Sequence, residues 1–104
     1  MIKDEIKKFK KENLISIVYF SGATCGACDL IKEKVLHVIS NYNEVKLLEI
    51  NAIENNEIAA EYNIFSLPIL LLFEDGKETL RIGRNFDILD FEKTVDRYYN
   101  IIFK

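Results

Sequence analysis

Apolar positions along this chain change their period repeatedly, and each change marks an element. Ile2, Ile6 and Phe9 lie four and three apart with lysines between them, the single stripe of a short surface helix. Leu14 to Phe20, LISIVYF, is β-branched, aromatic and almost wholly apolar, which predicts a strand covered on both faces. Small residues from Ser21 to Thr24 end that run. From Cys28 onward Ile31, Val35, Val38 and Tyr42 recur at helical spacing, which predicts a helix of about four turns starting near the cysteines.

Val45 to Ile50 is again strand-like, and ENNEIAAEY beyond it reads as a brief helix with Ile58, Ala59 and Ala60 as a small face. Asn63 to Leu67 is a connection. Ile69 to Phe73 is the most apolar strand, Asp75-Gly76 is a hairpin turn signal, and Lys77 to Ile82 is polar-rich and therefore an edge strand. After Gly83 and Arg84, Asp87 is placed to cap a last helix with Asp90 at its third position, and Ile88, Phe91, Val95, Tyr98 and Ile102 step down one face. An antiparallel hairpin appended to parallel crossover units, with strands this apolar, predicts an α/β three-layer sandwich: a central mixed four-stranded sheet flanked by helices. No repeat or linker divides the chain, so residues 1–104 are expected to form a single domain.

The composition suits that architecture. A chain of 104 residues with 49% apolar and 30% charged residues, one proline and four glycines is neither disordered nor low in complexity. Fourteen basic against seventeen acidic residues leave a net charge of -3, which offers no general attraction to nucleic acid or to an anionic membrane. The opening MIKDEIKKFKKENL lacks the apolar core of a signal peptide, and the longest apolar run, Ile69 to Phe73, is far below the ~20 residues that cross a bilayer. The expected location is the cytoplasm.

Cys25 and Cys28 are the only cysteines, and their spacing at a strand-to-helix junction reads as redox or metal chemistry. Residues three apart share a helix face, so the two sulfurs can meet within a first turn. The free N–H groups of that turn favour negative charge, so Cys25 can hold a thiolate while Cys28, on the core side, stays a thiol. Cys25 would then attack a disulfide and Cys28 would resolve the mixed disulfide. Gly26 and Ala27 suit a tight, open turn that a substrate must approach. One half of a metal or cluster site shared between chains, or an inert structural pair, are other readings of the same spacing. Zinc normally takes four ligands, and the one histidine, His37, lies nine residues beyond Cys28 and on the opposite side of the helix. Pro68, the only proline, stands just before a central strand, where it either starts the strand in trans or turns the chain through a cis Leu67-Pro68 bond.

The segments IVYFSGATCGACDLI and EINAIENNEIAAEYNIFSLPILLLFEDGKE, with the closing helix, resemble the thioredoxin family over nearly the whole chain. The resemblance implies a thioredoxin-like fold and a thiol–disulfide oxidoreductase that reduces protein disulfides. On it Cys25 is the attacking cysteine, Cys28 the resolving one and Pro68 a cis-proline. Leu67 is the residue whose backbone pairs with substrate, and Gly83 is the glycine that keeps the nearby surface open. No nucleotide-binding fingerprint accompanies the dithiol, so no bound organic cofactor is expected, and electrons would come from a reductase or a small thiol. A monomer is expected. The alternative is a thioredoxin-shaped peptide-binding or adaptor module with little turnover.

Several positions depart from the family pattern. Thr24 replaces the usual tryptophan before the first cysteine, which removes an apolar contact from the substrate surface, and Ala27 replaces the proline between the cysteines. Asp29 stands where a basic residue is common. The family's buried aspartate falls at Tyr19 and its lysine partner at Glu49. Two expectations follow for Glu49. It either takes over as proton acceptor for Cys28, with Tyr19 donating to it and its own pKa above about 4.3, or lies near the end of its strand and reaches water.

Overall fold

The computed structural model describes residues 2–103. Four strands form one sheet in the order β2-β1-β3-β4, with β1 (Ile15–Ser21) parallel to β2 (Val45–Asn51) and antiparallel to β3 (Ile69–Glu74). β4 (Lys77–Ile82) closes the far edge antiparallel to β3, as its polar composition requires. Helices α2 (Gly26–Ile39) and α4 (Ile88–Phe103) cover one face, and α1 (Ile2–Glu12) and α3 (Asn56–Glu61) the other. Every residue of β1 is buried. Strand alternation sends Ile15, Ile17 and Tyr19 toward Val35, Phe91 and Val95, and Val18 and Phe20 toward Ile6 and Ile58.

Two elements are shorter than their apolar pattern predicts. The stripe through Val38 continues to Tyr42, yet α2 ends at Ile39 and Tyr42 sits in the following turn, its hydroxyl donating to Asp96 at 2.9 Å. Tyr42 still packs on the α2–α4 core, so burial alone did not extend the helix. α3 starts only at Asn56 because the Asn51 side chain accepts the N–H groups of Ile53 and Glu54, holding the chain in a turn. It ends before Asn63, whose φ of 58° takes the chain out of the helix.

The register decides where chemistry can occur. Phe20 pairs with Ile69, Ser21 with Asn51, and Leu70 with Ile82. One end of the sheet therefore gathers the segment from Gly22 to Cys28, the start of the β2–α3 connection, Leu67-Pro68, and Gly83-Arg84.

Candidate active site

Cys25 is the N-cap of α2, with an extended backbone (φ -119°, ψ 97°), and its Sγ accepts the Cys28 N–H at 3.1 Å. A sulfur thus meets one of the donors that a helix start leaves unpaired. The two Cα atoms are 5.2 Å apart and the cysteines are joined as a disulfide. Cys25 is half-buried, whereas Cys28 is 1% exposed among core residues. Thr24 and Gly26 are exposed and Ala27 is half-buried, and nothing lies within 4 Å of the position a Gly26 Cβ would take. The front of the first turn is open.

The Leu67-Pro68 bond is cis, as the family resemblance implied. A Cβ on Gly83 would lie 3.5 Å from Ile69 Cδ1 and 3.8 Å from the Pro68 carbonyl oxygen, so the glycine exit from β4 lies against the proline. On the other side a Cβ on Gly22 would come within 3.1 Å of Leu67 Cδ1, tighter than ordinary contact. Gly22, which the sequence reading passed over, lets the cysteine segment close on Leu67.

The structure corrects the hydrogen bond expected between Tyr19 and Glu49 and the expected direction of the Glu49 pKa. Tyr19 does not donate to Glu49: the phenol, fully buried on β1, gives its hydrogen bond to the Cys28 carbonyl at 2.6 Å. Glu49 accepts instead from Lys32 Nζ at 2.6 Å and from Ser21 Oγ at 2.7 Å. The Lys32 hydrogen bond leads in holding its carboxyl below the ordinary value, helped by Ser21 and only partly opposed by burial. The pKa shift is therefore opposite to the one expected of a proton acceptor for Cys28. The Glu49 side chain is 36% exposed, because β2 is an edge strand and its end faces water, as the second expectation held. The Tyr19 pKa is pushed up to about 12, first by burial and then by the negative charges of Glu49 and Asp29, so the phenol is a neutral donor.

Lys32, Ser21, Ile53, Phe65 and Arg84 are further side chains at this end of the sheet that sequence reasoning missed. Lys32 sits four residues after Cys28, one turn along α2, a spacing that was legible; its partner on β2 was not. Ile53 and Phe65 are 70% and 84% exposed. Together with Ala59 and Leu67 they line a groove of about 310 Å³. No group of three or more His, Cys, Asp or Glu side chains among the described residues is arranged to hold a metal ion, and His37 is exposed near the far end of α2.

A capping cysteine bonded to a buried one three residues on, where a strand meets a helix and a cis-proline immediately precedes the neighbouring strand, defines a dithiol–disulfide oxidoreductase. The comparisons with known proteins agree. The Thioredoxin family model matches residues 3–97. The thioredoxin-like protein YdfQ of Bacillus subtilis is 32% identical over 96 residues, covering 92% of this chain and 86% of its own. Thioredoxin H2 of Arabidopsis thaliana is 30% identical over 91 residues, 86% of this chain and 67% of its own. The solved structure of thioredoxin 1 from Thermosipho africanus superimposes with a TM-score of 0.75 at 28% identity, over 86% of this chain and 99% of that one. A mutant thioredoxin from Halobacterium salinarum shares the fold with a TM-score of 0.81 at 21% identity, over 92% and 84% of the two chains. The chain belongs to the thioredoxin family, and it is a thiol–disulfide oxidoreductase that works through Cys25 and Cys28.

Proposed function

We propose that this chain reduces protein disulfides as a monomer in the cytoplasm, with Cys25 as nucleophile and Cys28 as resolving thiol. The asymmetry of the pair carries this reading: Cys25 is reachable at the helix start, and Cys28 is 1% exposed behind it. In the reduced protein the Cys25 thiolate attacks one substrate sulfur, forms a mixed disulfide and expels the other substrate sulfur as a thiolate. Cys28 then loses its proton and attacks the Cys25 sulfur. The second substrate thiolate leaves, Cys25 and Cys28 are joined, and two electrons have passed from protein to substrate. A reductase or a small thiol restores the dithiol.

Thr24, Gly26, Ala27, Leu67, Pro68 and Gly83 form the surface that meets the substrate. The groove beside Ile53 and Phe65 offers apolar area that Thr24, standing in the tryptophan position, does not. Both cysteines are in the site and none is left for structural bridges, a usage suited to a reducing compartment.

Turnover of a peptide disulfide by the wild type and two variants tests the assignment. Cys25→Ser should be inactive and form no adduct, and Cys28→Ser should accumulate a covalent substrate adduct visible by mass spectrometry. An adduct on Cys25→Ser instead would exchange the two roles. Binding by the wild type without turnover would favour a peptide-binding adaptor.

A further inference from the structure

Arg84 leaves β4 directly after Gly83 and is exposed, yet it is held: its Nε donates to the Leu67 carbonyl at 2.7 Å. That carbonyl belongs to the peptide preceding Pro68, and Leu67 in turn abuts Gly22, three residues ahead of Cys25. The two other arginines and Lys32 are engaged. Arg81 grips Glu78 through Nε and Nη2, each at 2.9 Å, Arg97 lies over the Tyr98 ring at 5.3 Å, and Lys32 is paired with Glu49. Arg84 has no carboxylate partner among the described residues, which leaves the edge formed by its two Nη groups unpaired. A guanidinium already fixed in plane by one hydrogen bond has less rotamer freedom to lose when a carboxylate docks on its remaining edge.

The surroundings make that edge selective. The chain carries a net charge of -3 and Asp29 is exposed beyond the dithiol, so an acidic partner meets general repulsion and needs a local cation. An extended substrate joined to Cys25 and running over Leu67 advances about 3.3 Å per residue, so residues a few positions from the reacting cysteine are carried toward Arg84, whose Nε is bonded to the Leu67 carbonyl. We propose that Arg84 is a specificity residue of the dithiol site, favouring disulfides whose chain carries an acidic side chain a few residues from the attacked sulfur and binding that carboxylate on its Nη edge. This rests on the reading of Cys25 as the nucleophile toward protein disulfides.

Three disulfide peptides that differ only in one residue near the cysteine, glutamate, glutamine or lysine, test it through kcat/KM. The wild type should prefer the glutamate peptide to the glutamine one by about fivefold, the scale of one well-oriented surface ion pair. The lysine peptide should be poorest. The preference should appear in KM and shrink at high ionic strength. Arg84→Ala should bring the glutamate-to-glutamine ratio to one, and Arg84→Lys should retain part of it, as a charge without the fork. A wild type that reduces all three peptides alike overturns the proposal. So does an Arg84→Ala protein whose ratio persists while all rates fall together, since Arg84 would then only hold the Leu67 loop. A wild type that reduces none of the peptides instead overturns the reductase reading and takes this proposal with it.

Discussion

A tyrosine in the place of a buried carboxylate changes what the residues beneath the dithiol can do. Tyr19 is neutral through the physiological range and its one proton is directed at the Cys28 carbonyl, so it steadies the first turn of α2 and does not serve as a base there. Tyr19→Phe should lower stability by about 1 kcal/mol in chemical denaturation, the usual net worth of such a hydrogen bond. Because the folded-state pKa lies above that of the unfolded chain, the stabilisation is present below pH 10 and is lost as pH rises toward 12. The wild type should therefore lose more stability than Tyr19→Phe across that interval. For the Lys32–Glu49 pair the carboxyl is shifted down and the ammonium up, each by the other. The contribution of Glu49 is thus lost as pH falls through its lowered value, and that of Lys32 as pH rises through its raised one. Lys32→Met should return the Glu49 carboxyl upward in an NMR titration. An unmoved titration would show that the ion pair is not what depresses it.

Among the elements, the β3–β4 hairpin gives the most direct test of backbone geometry. Asp75 and Gly76 have φ of 49° and 81°, the doubly left-handed conformation that suits a two-residue hairpin turn, and the Asp75 N–H donates to the Leu14 carbonyl at 2.8 Å. A Cβ on Gly76 would touch nothing within 4 Å, so Gly76→Ala should cost only the conformational term, about 1 kcal/mol in thermal or urea denaturation. The opposite extreme is Phe91, fully buried where α4 meets the sheet; Phe91→Ala should cost about 3 to 5 kcal/mol. These features were legible because each is written locally, in an Asp-Gly pair or in a stripe that returns every three or four residues. The cysteine site was legible for the same reason. Cys25, Gly26, Ala27 and Cys28 are consecutive, whereas the cis form of Leu67-Pro68 and the roles of Leu67 and Gly83 had to be supplied by family resemblance. What the sequence did not disclose depends on contacts between distant positions. Glu49 meets Lys32 across 17 residues and Arg84 meets Leu67 across another 17. Between the two expectations for Glu49, its exposure was decided by β2 lying at the sheet edge, a fact of strand order that no periodicity records.

At the scale of the whole molecule, the two apolar cores are built on opposite faces of one sheet, and β1 and β3 contribute side chains to both. Neither core can be lost while the other keeps its strands. Urea unfolding followed by circular dichroism and by tyrosine fluorescence should give one coincident transition with a slope of about 1 to 3 kcal/mol/M, whereas separated midpoints would divide the chain into two folding units. That shared cooperativity reaches the sulfur chemistry through the cap on α2. The atom that exchanges electrons, Cys25 Sγ, is also the acceptor for the Cys28 N–H. As a thiolate it accepts more strongly than as a half of a disulfide. Folding and reduction are therefore joined in a closed thermodynamic cycle: whatever separates the stabilities of the two redox forms must equal the displacement that folding imposes on the potential of the pair. A packing defect far from the cysteines that loosens the start of α2 changes the driving force for electron transfer without touching a sulfur. Unfolding free energies of the oxidised and reduced protein, set side by side, thus measure how firmly the fold holds its electrons.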